Sequence, residues 1–89
     1  MPSWEIDVRG RVQGVGFRHF ACRCAQLCKI RGYAKNKADG SVYILAQGSG
    51  VDFELFCTYL RAGRGFILVR DMEARELDNA IEYKEFEIH

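Results

Sequence analysis

At 89 residues, 48% of them hydrophobic and with six Phe, four Tyr and one Trp, the chain has material for one hydrophobic core and none for a second. This excludes a disordered segment, and no apolar run reaches the ~20 residues of a membrane-spanning helix. The net charge of +1 excludes the strong basic field that drives non-specific binding to nucleic acid or to a membrane surface.

Trp4–Arg9 alternates apolar with charged side chains and predicts a half-buried strand. A glycine-rich loop, Gly10-Arg11-Val12-Gln13-Gly14-Val15-Gly16-Phe17, leaves it. Phe20, Ala21, Cys24, Leu27 and Cys28 then recur at helical spacing and predict a helix from about Arg18 to Lys29. Arg31–Asn36 reads as a second strand, and Lys37-Ala38-Asp39-Gly40 as a turn signalled by Asp-Gly. Val42–Gln47 is a third strand, broken by Gly48-Ser49-Gly50. Ser49, with Asp52 three residues on, fits a capping box. The helix it opens carries Phe53, Phe56, Cys57 and Leu60 on one stripe, and Gly63 ends it. Phe66–Met72 is apolar enough for a central or near-central strand, and Ile81–Ile88 adds a short last one.

The order β-α-β-β-α-β plus a terminal strand predicts an α+β fold, the ferredoxin-like split βαβ sandwich. Its mixed sheet has four to five strands, with two helices on one face. A right-handed crossover makes the first two strands parallel, with room for a third between them. The loop after strand 1 and Asn36 at the end of strand 2 then meet at one edge of the sheet.

That meeting point has a definite chemistry. Backbone N–H groups of a glycine-rich loop converge on one centre, and the helix N-terminus adds unpaired donors and partial positive charge. Arg18 adds a planar, always-charged fork suited to phosphate. The loop is not G-x-x-x-x-G-K-[ST], because no Lys-Ser/Thr follows the glycines, and not G-x-G-x-x-G, because position 19 is His. The nucleotide readings are therefore weak. What remains is a phosphoryl cradle with one neutral amide beside it, Asn36, able to hold a water. Such a site suits an acyl phosphate, whose carboxylate leaves readily. Positioning and charge stabilisation then supply most of the rate without strong base, nucleophile or metal.

Other polar residues have plainer readings. Gln13 holds the loop together. His19, about 100° round the helix from Arg18, is expected to be partly solvated. Lys35 and Lys37 either form a solvated strand edge or draw anions to the mouth. Cys22, Cys24 and Cys28 fall in the first helix and Cys57 in the second, with no C-x-x-C pair. Reduced thiols are expected, Cys24 and Cys28 on the apolar face and Cys22 pointing away from it, while an interhelix bridge to Cys57 stays open.

On these residues the chain resembles the acylphosphatases. Val8-Arg9-Gly10-Arg11-Val12-Gln13-Gly14-Val15-Gly16-Phe17-Arg18 is similar to the family's first signature throughout. Gly32-Tyr33-Ala34-Lys35-Asn36, with Gly40, Val42 and Gly48, is similar to its second, spacing included. The likeness runs from about residue 4 to residue 88. It departs at Arg64-Gly65, where many members have Gly-Pro, and at His89, where an aromatic is common.

The resemblance implies hydrolysis of the carboxyl–phosphate bond of small acyl phosphates to a carboxylate and inorganic phosphate, with no cofactor and no metal. It implies Arg18 and Asn36 as the catalytic pair. Arg18 would bind the phosphoryl group with loop amides, the binding set being Gln13, Gly14, Val15, Gly16, Phe17 and Arg18. Asn36 would orient the attacking water. Inorganic phosphate is expected as product and inhibitor, with no nucleic acid or membrane partner. The expectation is a free-standing, cytoplasmic monomer, one domain over residues 1–89.

The alternative is a non-catalytic phosphate-binding or protein-interaction module on the same fold, against which the Arg18–Asn36 pair argues. An RNA-binding ferredoxin-like domain is opposed by the near-neutral charge and the lack of an aromatic RNP-type strand. A domain of a larger carbamoyl-transferring maturation factor shares the loop ending Val-Gly-Phe-Arg, but no zinc-finger cysteines follow here.

Overall fold

Ile6 and Val8 are wholly buried, whereas Glu5 and Asp7 turn to the opposite face of the sheet, where Arg75 reaches both, at 2.9 Å and 3.3 Å. The alternation read in the first strand thus separates a helix-covered face from an open one. A computed structural model describes residues 1–78 and 81–89. Its elements are β1 (Ser3–Arg11), α1 (Phe17–Cys28), β2 (Arg31–Asn36), β3 (Val42–Gln47), α2 (Gly50–Ala62), β4 (Leu68–Leu77) and β5 (Phe86–Ile88).

The sheet order is β4-β1-β3-β2-β5. β3 lies antiparallel to both β1 and β2, so β1 and β2 run parallel with β3 between them, as expected. β5 lies parallel to β2 and makes the sheet mixed. Phe17, Ala21, Cys24, Ala25 and Cys28 of α1 and Phe53, Phe56, Cys57 and Leu60 of α2 fill one core with Ile6, Val8, Ala34, Val42, Ile44 and Ala46. Trp4 closes its far end, stacked on Phe53 with ring centres 4.0 Å apart. The Ser49 hydroxyl accepts from the Asp52 amide at 3.1 Å and starts α2, as its spacing predicted.

Four expectations need correcting. The apolar run Phe66–Met72 is not a central strand: β4 begins at Leu68, extends to Leu77 and forms an edge, while Phe66 lies in the preceding turn, 78% exposed. Of that run Ile67, Val69 and Met72 pack against the core, each only partly buried. The charges along β4, Asp71, Glu73, Arg75 and Glu76 among them, mark a protected sheet edge. The last strand is confined to Phe86–Ile88. Leu27, placed on the buried stripe of α1, is 73% exposed, because it lies about 100° from the centre of the face that Phe17, Ala21 and Cys28 define. Cys22 is half-buried, not turned away, because β5 lies alongside and its sulfur sits 3.6 Å from the Phe86 carbonyl oxygen.

Candidate active site

The loop after β1 is held at both ends by core side chains, Val12 before it and Phe17 after it. Between them Gly14 and Gly16 take φ of +75° and +80°. A β-carbon at either would meet nothing, so the requirement for glycine here is conformational. Gly16 caps α1. The first helical bond runs from the Phe20 amide to the Gly16 carbonyl at 3.0 Å, leaving the preceding amides outside the helix ladder. No acidic side chain occupies the first turn of α1 and no side chain caps it, so its positive end is not offset by the helix's own residues.

A second loop steadies the first. The Gln13 side-chain amide donates to the carbonyls of Lys37 and Ser41, at 2.7 and 2.8 Å. The Lys37 amide in turn donates to Ser41, closing the β2–β3 turn at 2.9 Å. Asn36 directly precedes that turn, with its side chain exposed. It shares the helix-facing side of β2 with buried Ala34, two residues earlier.

Arg18 reaches the same corner. Its Nη1 donates to the His89 carbonyl oxygen at 2.6 Å, and the His89 amide donates to the Ala34 carbonyl at 2.8 Å. The His89 ring stacks on Tyr33 with centres 4.2 Å apart and planes within 10°. The departure from an aromatic at this position therefore keeps an aromatic's contact. Sequence reasoning assigned no role to His89 or Tyr33; the apolar tail that brings β5 beside β2 was the available signal.

Hydrogen bonds thus tie Gln13 to the turn that follows Asn36 and Arg18, through His89, to Ala34 of β2, with Gly14, Val15 and Gly16 in the loop between. Phe17 offers the loop only its backbone, since its ring is in the core. His19 is exposed on α1. Lys35 sits over the Tyr43 ring at 5.5 Å. Lys37 is tied to Asp7 at 3.3 Å, so it supports the turn. Burial alone would raise the Asp7 carboxyl. The bonds from Lys37 and Arg75 outweigh that and hold it below the usual carboxylate range.

All four cysteines are free, and the bridge to Cys57 is not made. Burial pushes the Cys24 and Cys57 thiols up to about 11, so they sit neutral in the core. Among the described residues no three His, Cys, Asp or Glu side chains gather as a metal donor set, and no helix is long and apolar enough to cross a membrane. A guanidinium, a set of loop amides and a neutral side-chain amide can hold a tetrahedral anion and orient a water against it.

The family model for acylphosphatase matches residues 4–88. An acylphosphatase of Archaeoglobus fulgidus is 41% identical over 99% of this chain and 98% of its own length. One from Oceanobacillus iheyensis is 40% identical over 99% and 98%. The crystal structure of acylphosphatase from Bacillus subtilis superposes with a TM-score of 0.94 at 37% identity, covering 100% of this chain and 99% of that one. The fold also matches part of T. kodakarensis HypF, with a TM-score of 0.89 and 31% identity over 12% of that longer chain.

Proposed function

The chain belongs to the acylphosphatase family and is an acyl-phosphate hydrolase, and from that premise we propose that its catalytic pair is Arg18 and Asn36. The phosphoryl oxygens sit among the amides from Gly14 to Arg18 and the Arg18 guanidinium. Asn36 holds the attacking water through its side-chain amide. The water oxygen bonds to phosphorus as the bond from phosphorus to the carboxyl oxygen breaks, and the electron pair leaves on the carboxylate. The water proton passes to a phosphoryl oxygen of the substrate. A carboxylate, with an ordinary pKa of about 4, leaves without an acid to protonate it. The protein's part is to place the reactants and to stabilise charge on the equatorial oxygens, each such donor being worth about 2–4 kcal/mol.

The observation that carries this reading is the anchoring of both partners to β2. Arg18 is tied through His89 to Ala34, two residues from Asn36, and Gln13 is tied to Lys37, one residue beyond it. A single chain supplies the whole site, so a monomer suffices. The product, inorganic phosphate, fits the same cradle and inhibits. The four free thiols suit the reducing cytoplasm, and the net charge of +1 offers nothing to nucleic acid or membrane.

Hydrolysis in ¹⁸O-labelled water tests the mechanism. Label is expected in the phosphate and none in the carboxylate. Label in the carboxylate would mean attack at the acyl carbon and would remove the role given to Asn36.

A further inference from the structure

A groove of about 380 Å³ opens between the loop after β1, α1 and the segment that joins α2 to β4. It is lined by Val15 and Gly16 of the loop, Phe20 and Arg23 of α1, and Arg64 and Phe66 of the segment between α2 and β4. We infer that this groove receives the acyl portion of the substrate and selects acyl phosphates with an extended apolar body ending in a second anionic group. The inference rests on the hydrolase reading above and adds to it a substrate class and three specificity-determining residues, Arg23, Arg64 and Phe66.

The direction follows from the sheet order. Displacement at phosphorus places the leaving oxygen opposite the entering water. The water is on the β2 side, at Asn36. β1 stands between that side and β4, its Arg11 paired with Leu68 at the start of β4. The carboxylate therefore departs toward the segment that leads into β4, where the groove lies.

The walls give the chemistry. Phe20 is held against Phe17, with ring centres 6.1 Å apart, and forms a fixed apolar side. Phe66 is 78% exposed in a turn closed by the Ile67 amide on the Arg64 carbonyl at 3.0 Å. An aromatic ring held that far out in solvent gains by covering an apolar group. Arg23 and Arg64 line the same groove, and neither joins the ion pairs formed by the described residues. Two unpaired guanidiniums beside an apolar slot match a carboxylate or phosphate at the far end of the acyl chain.

Benzoyl phosphate and 4-carboxybenzoyl phosphate differ only in the remote carboxylate and make the test. The ratio of their kcat/KM values is expected to favour the carboxylated substrate by about tenfold at low salt and to shrink as salt rises. Arg64→Ala and Arg23→Ala should each lower the ratio, and Arg64→Glu should bring it below one. Phe66→Ala should raise KM for both substrates while kcat changes less. Turnover of both with a ratio within twofold of one would overturn the subsite alone, as would a preference that survives the Arg23→Ala/Arg64→Ala double variant. No turnover of either by folded protein would overturn the hydrolase reading, and the subsite with it.

Discussion

The side-chain amide of Gln13 lies 2.7 Å from the carbonyl oxygen of Lys37 and so joins the loop after β1 to the turn after β2, across 24 residues of sequence. The same nitrogen also donates to Ser41, so both of its protons are used. The cradle and the residue next to it are thereby one unit, and small displacements between them are costly to a reaction that depends on alignment.

Gln13→Ala is expected to leave two carbonyls without this donor and to cost about 1–2 kcal/mol in stability. It should lower kcat by roughly tenfold, since the loop and Asn36 are no longer held in register. Urea unfolding and steady-state kinetics on the same preparation check both. Unchanged kcat would show that the tie serves the fold alone.

Arg18→Gln removes the one fixed charge of the cradle. Phosphate inhibition and turnover should weaken together, by roughly 2–4 kcal/mol each, in a protein whose circular dichroism is unchanged, because Arg18 lies outside the core. Retention of wild-type phosphate affinity would show that the loop amides suffice.

Asn36→Ala has the opposite signature. Its side chain is exposed, and its proposed partner is the water, not the phosphate. Turnover should fall by ~2–4 kcal/mol while the inhibition constant for phosphate moves little. Equal losses in both would assign Asn36 to binding.

The pH dependence of stability follows from Asp7. Its carboxyl is held below the ordinary range by Lys37 and Arg75, and that of Asp39 by the hydroxyl and amide of Ser41. A carboxyl with a lowered folded pKa contributes stability above its unfolded pKa of about 4 and loses it as pH falls through the folded value. Asp7→Asn should therefore cost about 1 kcal/mol at pH 7, the partners being largely exposed, and the gap to wild type should close below about pH 4. Urea titrations between pH 7 and pH 2 measure it. A gap that stays constant with pH would place the effect in packing.

Much of this was legible locally. Period-2 and period-3.6 patterns located β1, α1, β2, β3 and α2, and the parallel crossover brought Asn36 to the loop before any contact was known. What local pattern does not carry is the identity of a distant partner. Nothing around Gln13 names Lys37, and nothing around His89 names Tyr33 or Arg18. β4 was misplaced for a related reason: Phe66–Met72 is apolar in sequence, yet a strand's place in the sheet depends on which neighbours pair with it, and β4 pairs with β1 alone. Leu27 shows the same limit, since a rotation of about 100° round the helix, one residue's worth, moves a side chain from the buried stripe to solvent.

The most direct measurement is hydrolysis of benzoyl phosphate by the purified protein in EDTA, with inorganic phosphate as competitor. Turnover is expected, unaffected by the chelator, with competitive inhibition by phosphate. Folded protein that binds phosphate but does not release benzoate would contradict it, leaving the cradle as a binding site without a reaction.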